Sequence, residues 1–204
     1  MNENYRGSIA VLGQGYVGLP LALAAREAGW NVIGLDKNLS LVSELNRGVS
    51  HVEDVSSEDL RRALDGGMRI ESNMELIGEA NVVVICVPTP VDDLGQPNLQ
   101  YLDSAIESIA MFAKSGTLVI NESTSFPGTL RDFIAPRILE KSPEINLDFA
   151  ISPERIDPGN RKWNYRNTPR LVSGLTERAK ARAQEFYSTF CAVSYTHLTL
   201  PTKA

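Results

Sequence analysis

The sequence predicts a doubly wound α/β fold, a mostly parallel sheet with helices on both faces. Three observations carry that expectation. Short β-branched runs alternate along the chain with longer segments of helical period. The run Val82–Val87 (VVVICV) is apolar without a break, as a strand covered on both faces must be. A glycine-rich turn stands between the first strand-like run and the first helical one.

The elements follow in order. Ser8–Leu12 reads as a strand, Val17–Ala28 as a helix, and Asn31–Asp36 as a strand ending on an acid. Leu39–Asn46 and Ser56–Leu64 fit helices, the second opening on a Ser/Asp spacing that suits an N-cap. Met68–Glu71 is a short strand and Val82–Pro88 a buried one. Leu102–Ala113 is helical, Thr117–Asn121 a strand, and Gly128–Leu139 a helix with a kink or early stop expected at Pro136. Phe149–Ser152 and Arg170–Val172 read as strands and Thr176–Phe190 as a helix capped by Thr176. Asp92–Asn98 is a long turn, and Pro153–Pro169 a loop long enough to suggest a functional role.

Composition narrows the function. The 204 residues suit one domain or at most two, and 43% are hydrophobic, enough for a core. With 20 Lys+Arg against 25 Asp+Glu the net charge is −5, which argues against nucleic acid as a partner. The longest apolar run is about a third of the roughly 20 residues a membrane helix needs, and the N-terminus has no leader layout. A cytoplasmic protein without membrane contact is expected. Two cysteines make neither a disulfide framework nor a metal set, so no metal site is assigned.

Gly13, Gly15 and Gly18 form G-x-G-x-x-G (GQGYVG) between strand and helix. The first glycine makes the tight turn and the second lets backbone approach a pyrophosphate. The third lets helix and strand pack closely. Tyr16 and Val17 belong to the same turn, whose N–H groups face the phosphates with the helix dipole behind them. Asp36 lies 18 residues beyond Gly18, at the end of the next strand. An acid there accepts from both adenosine ribose hydroxyls and repels a 2′-phosphate, so the expected cofactor is NAD rather than NADP. Lys37 beside it softens that repulsion. The fold is therefore expected to be Rossmann-like.

Further candidates sit where strands end. Val87–Pro90 (VPTP) leaves a buried strand, with Pro88 fixing the backbone and Thr89 offering a hydroxyl; a plain strand exit is the alternative. Thr124 reads on spacing alone as a turn or cap residue. Glu154 is either a general base in its loop or an ion-pair partner of Arg155 or Arg161. Cys86 reads as the middle of a buried strand and Cys191 as an apolar helix end, neither suited to be a nucleophile. His51 reads as a solvated loop residue.

GQGYVGLPLA (Gly13–Ala22), VPTP (Val87–Pro90), NEST-x-x-PGT (Asn121–Thr129) and SPERIDPGN (Ser152–Asn160) together resemble the UDP-glucose/GDP-mannose dehydrogenase family, the nucleotide-sugar 6-dehydrogenases. The resemblance covers the cofactor domain, from about Ser8 to about Val193. SPERIDPGN looks closest to the branch that oxidises UDP-N-acetylhexosamines.

The resemblance implies an enzyme that moves two hydrides from the sugar C6 to two NAD molecules, leaving a uronic acid for surface polysaccharide synthesis. It places Pro88 and Thr89 against the cofactor, and Thr124 by the nicotinamide and a catalytic water. It makes Glu154 a base, with Arg155 and Asn160 toward the substrate. Glu122 takes no role from it beyond pinning a loop. A second acid, four residues past Glu154 in the UDP-glucose branch, is replaced by Pro158, with Asp157 adjacent. The family's cysteine, lysine and asparagine lie on a later region. This chain is expected to stop before it, which would leave a fragment that binds NAD without turnover. The parent would then be a homodimer or larger, joined through a connecting helix.

Ser194–Ala204 (SYTHLTLPTKA), with His197, departs from the family and reads as a translated adapter or assembly scar. The expected division is thus a cofactor domain over 1–193 and a non-native tail over 194–204. Two other readings stand beside the leading one. One is a stand-alone NAD-binding or regulatory module, the other a single-step β-hydroxyacid-type dehydrogenase.

Overall fold

Five residues of mainly apolar sequence, Ser8–Leu12, form β1 in the middle of the sheet of this computed structural model. The structure describes residues 6–91, 95, 97–154 and 167–191, and the backbone of 194–195. On one flank of β1 lie β2 (Asn31–Leu35) and β3 (Arg69–Glu71). On the other lie β4 (Val82–Ile85), β5 (Leu118–Asn121) and β6 (Asp148–Ile151). All pair in parallel, in the order β3-β2-β1-β4-β5-β6. Two short strands follow, β7 (Arg170–Leu171) and β8 (Ser173–Gly174). The sheet closes on β8, which runs antiparallel to β6.

Each central strand buries both faces, and its side chains alternate between two cores. Ile9 and Val11 of β1, with Val82 and Val84 of β4, join the core under α1 (Gly18–Glu27), α3 (Ser57–Asp65) and α6 (Glu177–Ser188). Ala10, Leu12, Val83 and Ile85 join the core under α4 (Gln100–Phe112) and α5 (Ala135–Lys141). Helix α2 (Leu39–Asn46) is shallower and buries only Leu45. Side-chain caps start several helices where the sequence puts them: Asn38 on α2, Ser56 on α3 and Thr176 on α6. Asp148 is tied to α6 through Arg178 and Arg182.

Two expectations are corrected, and two features were not anticipated. The helix expected over Gly128–Leu139 is a π-helical turn, Thr129–Ile134, that passes into α5, with Pro136 in the first turn of α5. There a missing N–H breaks no bond, so the proline starts a helix instead of kinking one. The strand expected over Arg170–Val172 forms as β7, which pairs in parallel with β9 (Ser194–Tyr195) in a separate two-stranded sheet. A 3₁₀ turn, Met74–Glu79, capped by Asn73, was not anticipated. The strand expected over Val82–Pro88 stops at Ile85, so Cys86 lies past the strand end rather than in its middle.

Candidate functional site

Strands β1, β2, β4, β5 and β6 all end at one edge, and the loops leaving them enclose a cleft of about 560 Å³. This is the place where an open parallel sheet offers a crevice between diverging loops.

The first wall is the glycine turn. Gly13 has φ +92°, and a Cβ on it would stand 2.5 Å from the carbonyl oxygen of Cys86. A Cβ on Gly18 would stand 1.8 Å from the carbonyl oxygen of Gly13. A Cβ on Gly15 would meet nothing within 4 Å. The outer two glycines thus serve packing, while the middle one leaves bare backbone facing open space, room for a phosphate to approach. No side chain caps α1 and no acid sits in its first turn, so the positive end of its dipole faces the cleft. Gln14 is fully buried and anchors the turn: its amide donates to the carbonyls of Val11 at 2.8 Å and Gly13 at 3.2 Å. It occupies the space above Gly34, where a Cβ would come within 2.6 Å of its Oε1. Val17 packs against the core, and Tyr16 is exposed at the cleft with its ring edge-on to exposed His51.

Asp36 forms the second wall. Its Oδ2 accepts the backbone N–H of Gln14 at 2.9 Å and its Oδ1 that of Asn38 at 2.9 Å. Lys37 reaches across the cleft and donates to Ser104 of α4. Its ammonium is therefore committed to the helix opposite.

The third wall comes from the exits of β4 and β5. Thr89 Oγ1 donates to the carbonyl of Thr124 at 2.8 Å, and Ser123 Oγ donates to that of Val87 at 2.8 Å. The two loops are stitched together, and the Thr89 proton is spent on the stitch. Pro88 and Thr124, both exposed, line the cleft beside them.

Beneath this wall the sequence reading missed an ionic cluster. Arg170 is 3% exposed; its guanidinium lies 3.0 Å from Glu122 Oε1 and 2.5 Å from Glu154 Oε2. Tyr187 Oη donates to Glu122 Oε1. Glu122 is fully buried and meets Arg170 and Tyr187 there. Burial pushes its carboxyl up to about 7, against the pull of Arg170, and the neighbouring Glu154 adds to the rise. Glu154 pairs with Arg170, and Arg155 and Arg161, its partners on the ion-pair reading, lie outside the described residues. Burial pushes the Cys86 thiol well up, with the Glu122 charge adding to it. Burial also raises Cys191 to about 11. Cys86 lines the cleft and Cys191 lies by Arg170, so neither setting is simply apolar, yet both thiols are held protonated. An arginine inside the short run Arg170–Val172 was the available signal for the cluster, because a buried cation needs a partner.

Arg155, Asp157, Pro158, Asn160, Arg161 and His197 lie outside the described residues. Among the described residues no group of three or more His, Cys, Asp or Glu is placed to hold a metal ion. No helix there is long and apolar enough to cross a membrane.

The strand order, the glycine turn at its centre and the acid just past β2 define a dinucleotide-binding domain of the Rossmann type. Residues 7–191 match the model of the UDP-glucose/GDP-mannose dehydrogenase family, NAD binding domain. The chain is 35% identical to the UDP-N-acetyl-D-mannosamine dehydrogenase of Pyrococcus horikoshii, over 89% of this chain and 44% of that protein. It is 36% identical to the UDP-N-acetyl-D-glucosamine 6-dehydrogenase of Salmonella typhi, over 88% and 42%. The solved structure of UDP-D-ManNAc dehydrogenase from Pyrococcus horikoshii superposes with a TM-score of 0.86 at 32% identity, covering 92% of this chain and 46% of that one. The chain belongs to the UDP-glucose/GDP-mannose dehydrogenase family, of which it is the NAD-binding domain, and its cofactor is NAD. It spans less than half the length of these relatives.

Proposed function

We propose that the whole protein is an NAD-dependent 6-dehydrogenase of a UDP-N-acetylhexosamine, and that this chain holds the cofactor and part of the reacting site. The observation that carries the reading is that one cleft runs from Asp36, after β2, past the glycine turn to Thr124 and Glu154, after β5 and β6. The relatives named above supply the substrate class. Bound NAD would supply the hydride acceptor.

The chain's own groups divide the remaining work. Asp36 accepts from the ribose hydroxyls, and its charge, with Lys37 drawn away to Ser104, disfavours a 2′-phosphate. Backbone at Gly13, Gly15 and Gly18 and the start of α1 take the pyrophosphate, with Tyr16 and Val17 beside them. Pro88 and Thr89 form the wall along the cofactor. Thr124 orients a water near the reacting carbon, and Glu154 accepts a proton there. Arg155 and Asn160 face the sugar nucleotide. Neither Cys86 nor Cys191 serves as the nucleophile, because both thiols are buried and protonated. By itself the chain therefore binds NAD without turnover.

The test is the number of NADH formed per UDP-N-acetylhexosamine consumed by the whole protein. Two support the proposal. One favours the single-step dehydrogenase, and none with intact NAD binding favours a binding module.

A further inference from the structure

Gln14 is fully buried inside the glycine turn and stands behind the cleft wall rather than in it. The peptide unit that joins it to Gly13 is held at both ends. Its carbonyl accepts from Gln14 Nε2 at 3.2 Å, and its N–H donates to Asp36 Oδ2 at 2.9 Å. A peptide unit is planar, so holding both groups fixes the whole unit. The same amide donates to the Val11 carbonyl at 2.8 Å, which ties the turn to β1. The next unit carries the N–H of Gly15, where a Cβ would meet nothing within 4 Å and the backbone lies open to the cleft.

The amide is seated against the interest of packing. Among the described residues Gln14 Oε1 meets no hydrogen-bond donor, and a buried acceptor left unmet destabilises a fold. A methionine fills the same kind of space without that penalty. The seat itself is made by Gly34 of β2. A Cβ there would stand 2.6, 2.7 and 3.1 Å from Oε1, Cδ and Nε2 of Gln14, its three nearest atoms. Gly34 does not have a positive φ, so its conformation does not call for glycine. Nor does it line the cleft, so the room it leaves serves the Gln14 amide and not a ligand. A polar group kept where packing opposes it marks a functional demand.

We propose that Gln14 is a positioning residue for the dinucleotide: its amide, seated over Gly34, holds the Gly13–Gln14 peptide so that the backbone at Gly15 is aimed at the pyrophosphate. This rests on the reading of the cleft as the NAD site. Gln14 acts through the turn and touches no ligand with its side chain. Asp36 keeps its second hold, on the N–H of Asn38, whatever the Gln14 amide does. Contact with the adenosine ribose is therefore independent of the amide, and the dependence falls on the phosphates.

The test is titration of the full chain with NAD by calorimetry, and with adenosine, which lacks phosphate, by ligand-observed NMR. The samples are wild type, Gln14→Met, Gly34→Ala, Gln14→Ala and the Gln14→Ala/Gly34→Ala pair, each checked for folding by thermal denaturation. Gln14→Met is expected to weaken NAD by about tenfold or more, as misdirected hydrogen bonds to a charged group require, and to leave adenosine unchanged. Gly34→Ala should do the same from outside the cleft, by pushing the amide off its seat. In the Gln14→Ala background Gly34→Ala should weaken NAD no further, because the group it displaces is already gone. Wild-type NAD affinity in folded Gln14→Met overturns the proposal, as does an equal loss of adenosine or full additivity in the pair. If Gly34→Ala fails to fold, NAD against adenosine in Gln14→Met decides. A glutamine that only stabilises the fold would lower the melting temperature and leave the ratio of NAD to adenosine affinity as it is. No NAD binding by a folded wild type overturns the cofactor site itself, whereas NAD binding that is the same in wild type and variants overturns this proposal alone.

Discussion

The carboxylate of Asp36 accepts the backbone N–H of Gln14 at 2.9 Å, fastening the end of β2 to the glycine turn after β1. The acid is held in place before any ligand arrives, because its other oxygen accepts from Asn38. Asn38 in turn caps α2 by accepting from Ser40 and Leu41 at 3.1 and 3.2 Å. Asn38→Ala removes that cap and is expected to cost about 1 kcal/mol in chemical denaturation. NAD affinity should change little, since the backbone N–H that meets Asp36 is retained.

The three glycines separate packing from binding. Gly15→Ala points a methyl into open cleft at a φ that alanine tolerates, so the melting temperature should hold. NAD affinity should fall by about tenfold or more, because the methyl takes the space of close backbone approach. Gly18→Ala drives a methyl to 1.8 Å from a backbone oxygen that cannot yield cheaply. It should cost at least the upper part of the about 1–3 kcal/mol typical of overpacking, read by thermal denaturation.

Glu122 makes stability depend on pH in an unusual direction. Its carboxyl binds a proton more tightly folded than unfolded. Its favourable contribution is therefore complete below the ordinary 4.5 and is lost as pH rises to about 7. The change is on the order of 3 kcal/mol by linkage. Asp148 acts oppositely. Burial tends to raise its carboxyl, but Arg182 and Arg178 overcome that and hold it below 3.8, so its contribution is lost as pH falls below that. Denaturant midpoints measured across this range should peak in mildly acid buffer, and Glu122→Gln should remove the decline between 4.5 and 7.

Arg170→Met leaves Glu122 and Glu154 without their guanidinium. Removing one partner of a buried pair costs about 3–5 kcal/mol, and a loss of that size is expected in urea at neutral pH. Adding Glu154→Gln to Arg170→Met should recover part of it, because the carboxylate left without its guanidinium is then neutral. Failure of the double variant to recover any stability would show that the cluster is not held together electrostatically.

Local rules made most of the sheet legible. Apolar runs such as Val82–Ile85 and Leu118–Asn121 can only be strands covered on both faces, and Gly13, Gly15 and Gly18 with Asp36 located the cofactor end of the site. Pro136 was misread because a proline interrupts one helix and starts another equally well, and only the π-helical turn before it decides which. Cys86 was misplaced by the length of its apolar run, which continues past the last strand residue, Ile85. The Glu122–Arg170–Glu154 cluster escaped because its members come from three separate segments, and no periodicity within one segment records a contact between them. Its one local trace was a cation in an apolar setting.

The central claim is that the glycine turn and Asp36 form an NAD site, and calorimetric titration of the chain with NAD and NADP, repeated on Asp36→Ala, tests it most directly. The account predicts NAD binding by the wild type, weaker NADP binding, and an NAD affinity lowered by about 10- to 100-fold in Asp36→Ala, as the loss of bonds to a charged acceptor requires. NAD affinity unchanged in a folded Asp36→Ala, or no NAD binding by a folded wild type, would contradict it.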